Sequence, residues 1–363
     1  MNERDVAPKL IAYYLPQYHC FPENDEWWGK GFTEWTNVKK AKPLFKNHYQ
    51  PRVPQNNYYY NLLDEEVMRK QFNLANKYGL YGFCYYHYWF NGKLLMDKPL
   101  NIMRKADSRI NYCFCWANEP WTRSWNGREK DVIMPQEYGD EKEWESHFLY
   151  LLQFFEDDMY IKIDKMPVFI IYRLNNVPNA DKMISFWDKR CREVGFNGIY
   201  VIEEVNTYQD TESCKETKAV IEFEPMYTLK HKRSIMLRVY DKLFAFAHNF
   251  VYKNNLLVYN YDLVWREIIK RDDSKKYKKL FFGAFVDWDN SPRRGKTALI
   301  VKGATPEKFE HYIKEQLRKA KLNRSEFVFV NAWNEWGEST YLEPDEKNGY
   351  GYLEAIYSAV SDK

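Results

Sequence analysis

The feature that most constrains this chain is a regular alternation of two kinds of segment. Short apolar, β-branched or aromatic runs at 10–15, 80–86, 110–116, 167–172, 199–203, 219–223, 280–286 and 326–333 have the length and composition of strands. Between most of them lie segments with helical spacing and charged faces, at 63–78, 141–155, 181–194, 263–271 and 305–321. Thr305 before Pro306, and the residues 179–181, supply helix starts, while Gly79 and Gly195 stand where a helix end favours a left-handed residue. Strand and helix in alternation specify parallel βαβ units, and eight such units close into a (β/α)8 TIM barrel. The rival architecture is an open doubly wound α/β sheet. It lacks its usual phosphate-binding turn here, because no GxGxxG or GxxxxGK follows any strand.

A barrel of this kind needs roughly 250 residues, so a chain of 363 has length to spare. The surplus falls after strands 1, 3 and 6, at about 16–62, 117–137 and 224–261. With no repeat, no Gly/Ser/Pro linker and no low-complexity tract, residues 1–363 are expected to form a single barrel domain with long βα loops. Lys and Arg number 54 against 51 Asp and Glu, so no global field favours nucleic acid or an anionic membrane. No apolar stretch approaches the length of a transmembrane helix. The N-terminus does not resemble a signal peptide, so a cytoplasmic location is expected. Cysteines 20, 84, 113, 115, 191 and 214 form no CxxC pair and read as core thiols of a reducing compartment. With no HExxH and no paired histidines at ligand spacing, neither a metal nor another cofactor is expected.

A barrel displays its chemistry at the C-terminal ends of its strands, and here those ends are polar or aromatic. Tyr14 and His19 follow strand 1, His87 strand 2, Trp116, Asn118, Glu119 and Trp121 strand 3, and Trp333 strand 8, while Trp28 and Trp35 stand in the first long loop. Carboxylates, amides and flat rings suit a sugar, whose CH face stacks on aromatics while its hydroxyls need bidentate partners. These residues are therefore expected to bind an oligosaccharide or polysaccharide. Glycoside hydrolysis needs two carboxyl groups, one protonated and one ionised. Glu335 and Glu338, three residues apart, would share one side of a helical turn and are expected to be that pair. Glu119, in the turn Asn118-Glu119-Pro120, competes as an acid or as a ligand to sugar hydroxyls. Glu203, Glu204, Glu222 and Glu224 read as structural, with the chance that one reaches the site. The basic run of Lys230, Lys232, Arg233 and Arg238 reads as a solvated face or a diphosphate contact, and Asp287-Trp288-Asp289 has the shape of a DxD motif.

The segments YYLPQYH (13–19), ENDEWWGKGFTEWTNV (23–38), ANEPWTRSWNG (117–127) and NAWNEWGESTYLEPD (331–345) resemble the WbsX-like family, which is related to glycoside hydrolase family 99. The resemblance runs from about residue 10 to 357 and implies a (β/α)8 barrel. Family 99 comprises retaining endo-acting α-mannosidases and mannanases. WbsX-like proteins are often encoded with O-antigen or capsule assembly genes and carry the label glycosyltransferase. The family 99 pattern Asn-Glu-Trp-x-Glu implies a general base at Glu335 and a general acid/base at Glu338. It further implies a first step in which the base takes a proton from the substrate's own 2-hydroxyl, whose oxygen attacks the anomeric carbon. Ser339 stands where the pattern has Gly. Three functions follow as expectations: a retaining glycoside hydrolase on an α-linked glycan; a glycosyltransferase of lipopolysaccharide or capsular polysaccharide biosynthesis in a bacterium; or a catalytically silent carbohydrate-binding barrel.

Overall fold

The computed structural model describes residues 7–106, 109–123 and 128–362. Eight parallel strands close a barrel: β1 (Lys9–Tyr14), β2 (Gly82–Phe90), β3 (Asn111–Trp116), β4 (Met166–Ile171), β5 (Tyr200–Val205), β6 (Ala219–Glu222), β7 (Leu280–Phe285) and β8 (Phe327–Asn331). Each pairs with its neighbours in chain order, and β1 completes the ring by pairing with both β2 and β8. These strands are buried on both faces, which is why they read as continuous apolar runs.

Helices cover the outside: α1 (Glu65–Lys77), α2 (Lys98–Lys105), α3 (Glu141–Phe155), α4 (Ala180–Glu193), α5 (Ile235–Tyr252), α6 (Tyr261–Lys270), α7 (Pro306–Leu322) and α8 (Gly351–Ser361). In α1 the residues Val67, Met68, Gln71, Phe72 and Ala75 make the buried stripe that helical spacing requires, and the Asp64 carboxylate accepts from the Glu66 N–H to cap it. Thr305 caps α7 by accepting from Lys308 N–H, and Gly79 and Gly195 take φ of 79° and 99°, as their places after helices demanded.

The alternation has one exception. The link 206–218 between β5 and β6 contains no helix. It carries no apolar stripe, and it folds back so that the Gln209 amide and the Ser213 N–H donate to the Glu203 carboxylate at 2.6 and 3.0 Å. The next connection carries two helices; of the basic run expected to be a solvated face or a diphosphate contact, Arg238 is exposed on α5, whereas Arg233 is buried just before it, paired with Asp241 and Glu267. A strand at Leu257–Asn260 pairs with Leu299–Lys302, which pairs with Trp288–Asp289. Beneath this small sheet Phe45, Leu256, Val258, Ala298 and Ile300 form a second apolar core. Among the described residues no helix is long and apolar enough to cross a membrane.

Candidate active site

The C-terminal ends of the strands open onto a cleft of about 710 Å³, within the usual size for a small-ligand site. After β8 the chain makes a helical turn, Trp336–Glu338, and Glu335 and Glu338 both line the cleft. The Asn334 amide fixes this turn by accepting from Leu15 N–H at 2.8 Å and donating to Leu15 C=O at 3.0 Å, tying the end of β8 to the end of β1.

One guanidinium organises the carboxyls. Arg293 sits on the short helical turn Ser291–Arg294 beyond β7. Its Nη2 donates to Glu335 Oε1 at 2.6 Å, its Nη1 lies 3.0 Å from Glu338 Oε1, and its Nε donates to Glu34 Oε1 at 2.8 Å. Glu34 opens the helix Glu34–Lys40 of the first loop and is fully buried. Three carboxyls thus face one cation. Burial raises the Glu335 carboxyl to about 8; Arg293 opposes that rise, and Glu338 and Glu34 add to it. Burial raises Glu338 as well, against Arg293. Glu335 is the more enclosed, its side chain 9% exposed against 23% for Glu338. Gly337 is required between them, since a Cβ there would lie 1.9 Å from Glu34 Oε1.

Glu119 and Arg173 also line the cleft, paired at 2.9 Å, with the Arg173 guanidinium 3.9 Å above the ring of Tyr208. Burial raises the Glu119 carboxyl, and Arg173 opposes it. The lining also includes Trp28, Tyr86, Tyr88, Trp121 and Trp288, a set of rings suited to stacking.

Of the residues expected at the sugar, Trp28, Glu119 and Trp121 line the cleft together with Glu335 and Glu338, and the others do not. Tyr14 lies on the outer side of β1, where its hydroxyl donates to Gln71 of α1 at 2.6 Å. His87 is buried behind β2 with its Nε2 2.9 Å from that of His147 on α3, and burial pushes it down to about 3. Trp116 packs among His147 and Trp187 and donates to Trp89 C=O. The cause is strand parity: successive side chains alternate between faces, so Tyr86 and Tyr88 reach the cleft while His87 between them turns outward. Trp35 is buried against Tyr18 and Trp336 and donates to Tyr60 C=O. Trp333 is fully buried against Phe83, and His19 is buried beside Phe21. Asn118 supports Arg173, accepting from its N–H and donating to its C=O. The segment 117–127 is described only in part; residues 124–127 lie outside the described residues.

None of the four strand-end glutamates lines the cleft; Glu204 is buried against Tyr13, whose hydroxyl donates to it at 2.8 Å. Asp287 pairs with Arg52 and Asp289 accepts from Gln50 at 2.7 Å with His48 at the same distance, so the DxD-shaped segment commits both carboxylates to the protein and offers the cleft only Trp288. Sequence reasoning missed Arg293 and Glu34. Glu34 lay inside one of the family-like segments, immediately before Trp35, whereas nothing local marked Arg293.

Residues 10–356 match the family described as Glycosyltransferase WbsX, and the chain belongs to that family. It is 33% identical over 359 residues to the uncharacterized protein WxcX of Xanthomonas campestris pv. campestris, a match that takes in 97% of this chain and 49% of that one. The chain thus spans about half the length of the curated relatives it matches. Among solved structures it resembles a glycoside hydrolase-like protein, with 12% identity, TM-score 0.60 and coverage of 98% of this chain and 94% of the other. It also resembles the GH99 endo-alpha-mannosidase of Bacteroides thetaiotaomicron, with 12% identity, TM-score 0.56 and coverage of 99% and 97%. These structures share the TIM-barrel fold.

Proposed function

From that membership, we propose that the chain is a carbohydrate-active enzyme that cleaves an α-linked glycan with retention at the Glu335–Glu338 pair. The observation that carries the reading is the shared guanidinium: Arg293 holds two cleft-lining carboxyls whose proton affinity burial has raised. Carboxyls held by one guanidinium and repelling each other favour a state in which one carries a proton and the other does not, the condition for one to act as acid while the other acts as base.

In this reading Glu335, as base, takes the proton of the sugar's 2-hydroxyl. The 2-oxygen attacks the anomeric carbon as the glycosidic bond breaks, and Glu338 delivers its proton to the departing oxygen. Glu338, now ionised, then takes a proton from the incoming water, which opens the three-membered ring at the anomeric carbon. The 2-oxygen regains its proton from Glu335. With its pKa near 8, Glu335 is ionised for this step in only part of the population at neutral pH, and that part has more driving force for the first proton transfer than an ordinary glutamate. Trp28, Trp121 and Trp288 supply stacking surfaces, and Glu119 with Arg173 supplies hydrogen bonds to hydroxyls.

A second reading keeps the same residues and replaces water by a sugar hydroxyl, making the enzyme a transferase of surface-polysaccharide assembly. The description of the family as glycosyltransferase favours it. Incubation with dinitrophenyl α-glycosides and α-linked oligosaccharides, with products followed by proton NMR, tests both. Free α-anomer as first product is expected from a hydrolase, and a new disaccharide linkage from a transferase. Glu338→Gln is expected to lose ~10²–10⁴-fold on the oligosaccharide while sparing the dinitrophenyl substrate, whose leaving group needs no proton. Glu335→Gln is expected to lose on both. Equal loss on both substrates for Glu338→Gln removes the acid assignment, and absence of any turnover leaves a binding barrel.

A further inference from the structure

The helix α5 is built inside out. Two of its polar residues turn inward: Asp241 accepts from Arg233 through two hydrogen bonds of 2.9 and 2.7 Å, and His248 is buried edge-on to Phe45 at 4.7 Å. Its large apolar residues turn outward. Met236, Val239, Tyr240, Leu243, Phe246 and Phe250 recur at helical spacing along one exposed stripe, with Met236 81%, Phe246 72% and Phe250 80% exposed. A soluble helix normally shows the opposite pattern, and an exposed apolar stripe of this length marks an interaction surface.

The charge around the stripe identifies what covers it. Arg238, Lys242 and Lys253 are exposed along the same helix and at its end, while the helix's one acid, Asp241, is sealed against Arg233. A second copy of this face would bring cations against cations. A surface that presents anionic headgroups above acyl chains satisfies both the cations and the apolar side chains, as in interfacial amphipathic helices. The near-neutral net charge of the chain hides this local arrangement.

We propose that α5 docks this chain on an anionic lipid bilayer, lying in the headgroup region without crossing it. This goes beyond the chemistry assigned to the cleft and does not depend on it. The position has a consequence for that chemistry. Asn249 of α5 exchanges hydrogen bonds of 2.9 and 3.0 Å with the Leu256 backbone, and the adjoining Leu257 lines the cleft. Docking thus holds the cleft near the bilayer, where a saccharide carried on a lipid would meet it; that choice of substrate class rests on the function proposed above, whereas docking does not.

Sedimentation of the chain with vesicles of phosphatidylglycerol and phosphatidylethanolamine, against vesicles of phosphatidylcholine, tests the proposal. Binding to the anionic vesicles is expected, with partition at least about tenfold weaker for Arg238→Glu with Lys242→Glu and for Leu243→Glu with Phe246→Glu. All four positions are exposed, so circular dichroism should match the parent chain. No binding to either vesicle overturns the proposal, as does binding that both double variants leave unchanged. Light scattering on the same samples decides the rival occupant: a dimer that Leu243→Glu with Phe246→Glu converts to monomer assigns the stripe to a second copy and overturns lipid docking.

Discussion

Two clusters in this barrel have the same composition and opposite circumstances. Arg271, just beyond α6, binds Glu222 through two hydrogen bonds of 2.9 and 2.7 Å and Glu224 through one of 2.6 Å, and it donates to Thr228 at 2.7 Å. Thr228 in turn donates to Glu224 from both its hydroxyl and its N–H, so every carboxylate oxygen of that pair has a partner. Arg293 meets one oxygen each of Glu34, Glu335 and Glu338, two of which, Glu335 and Glu338, line the cleft. Burial raises Glu224 as it raises Glu335 and Glu338, so perturbed proton affinity does not separate the two clusters. Access does: the closed cluster has bonded every oxygen of Glu222 and Glu224 away from the cleft, and the open one turns Glu335 and Glu338 toward it.

The largest expected contrast is in stability. Arg271→Met strands two buried carboxylates and is expected to cost ~3–5 kcal/mol in urea unfolding. Arg293→Met strands one buried carboxylate, Glu34, and leaves two others, Glu335 and Glu338, that line the cleft, and is expected to cost less than Arg271→Met while abolishing turnover. Equal costs would break the distinction. A smaller effect is expected from Gly337→Ala, whose Cβ would stand 1.9 Å from Glu34 Oε1 and 2.7 Å from Arg293 Nε. Displacing that pair is expected to cost ~1–3 kcal/mol in stability and to lower kcat more than it raises KM; unchanged kcat would show that the Glu34–Arg293 geometry has no part in turnover.

The smallest effect is on pH dependence. The Glu335 carboxyl is raised to about 8, so the folded chain binds a proton that the unfolded chain releases near the ordinary glutamate range. Its contribution to stability is complete below that range and is lost as pH rises through about 8. Glu335→Gln is therefore expected to gain stability relative to the parent chain as pH rises from about 5 to about 9, read as a growing difference in Tm. A constant difference across that window would place the proton elsewhere.

The barrel was legible because strands buried on both faces write themselves as uninterrupted apolar runs, and each of the eight falls where such a run stands. The carboxyl pair was legible because Glu335 and Glu338 are neighbours in sequence. Arg293 and Glu34 were not, since an ion pair across 259 positions leaves no local trace. The aromatic wall was half legible. Naming strand ends without their parity set Tyr14, His87 and Trp116, which face the helices, above Tyr86 and Tyr88, which stand at the same strand end and face the cleft. The helix α5 escaped notice because helical periodicity is read on the assumption that apolar residues face inward, and here they face out.

Ring closure has a consequence in time as well as in space. The contacts that join β8 to β1, such as Leu15 with Asn334, span 319 positions, and the contact that brings Glu34 to the carboxyl cluster spans 259. Contacts of such separation carry a high loop-closure entropy and form late, after local helices and adjacent strand pairs. A chain in the course of folding therefore carries its acidic residues as ordinary, water-exposed glutamates, and their unusual proton affinity comes into being only when the first and last strands meet.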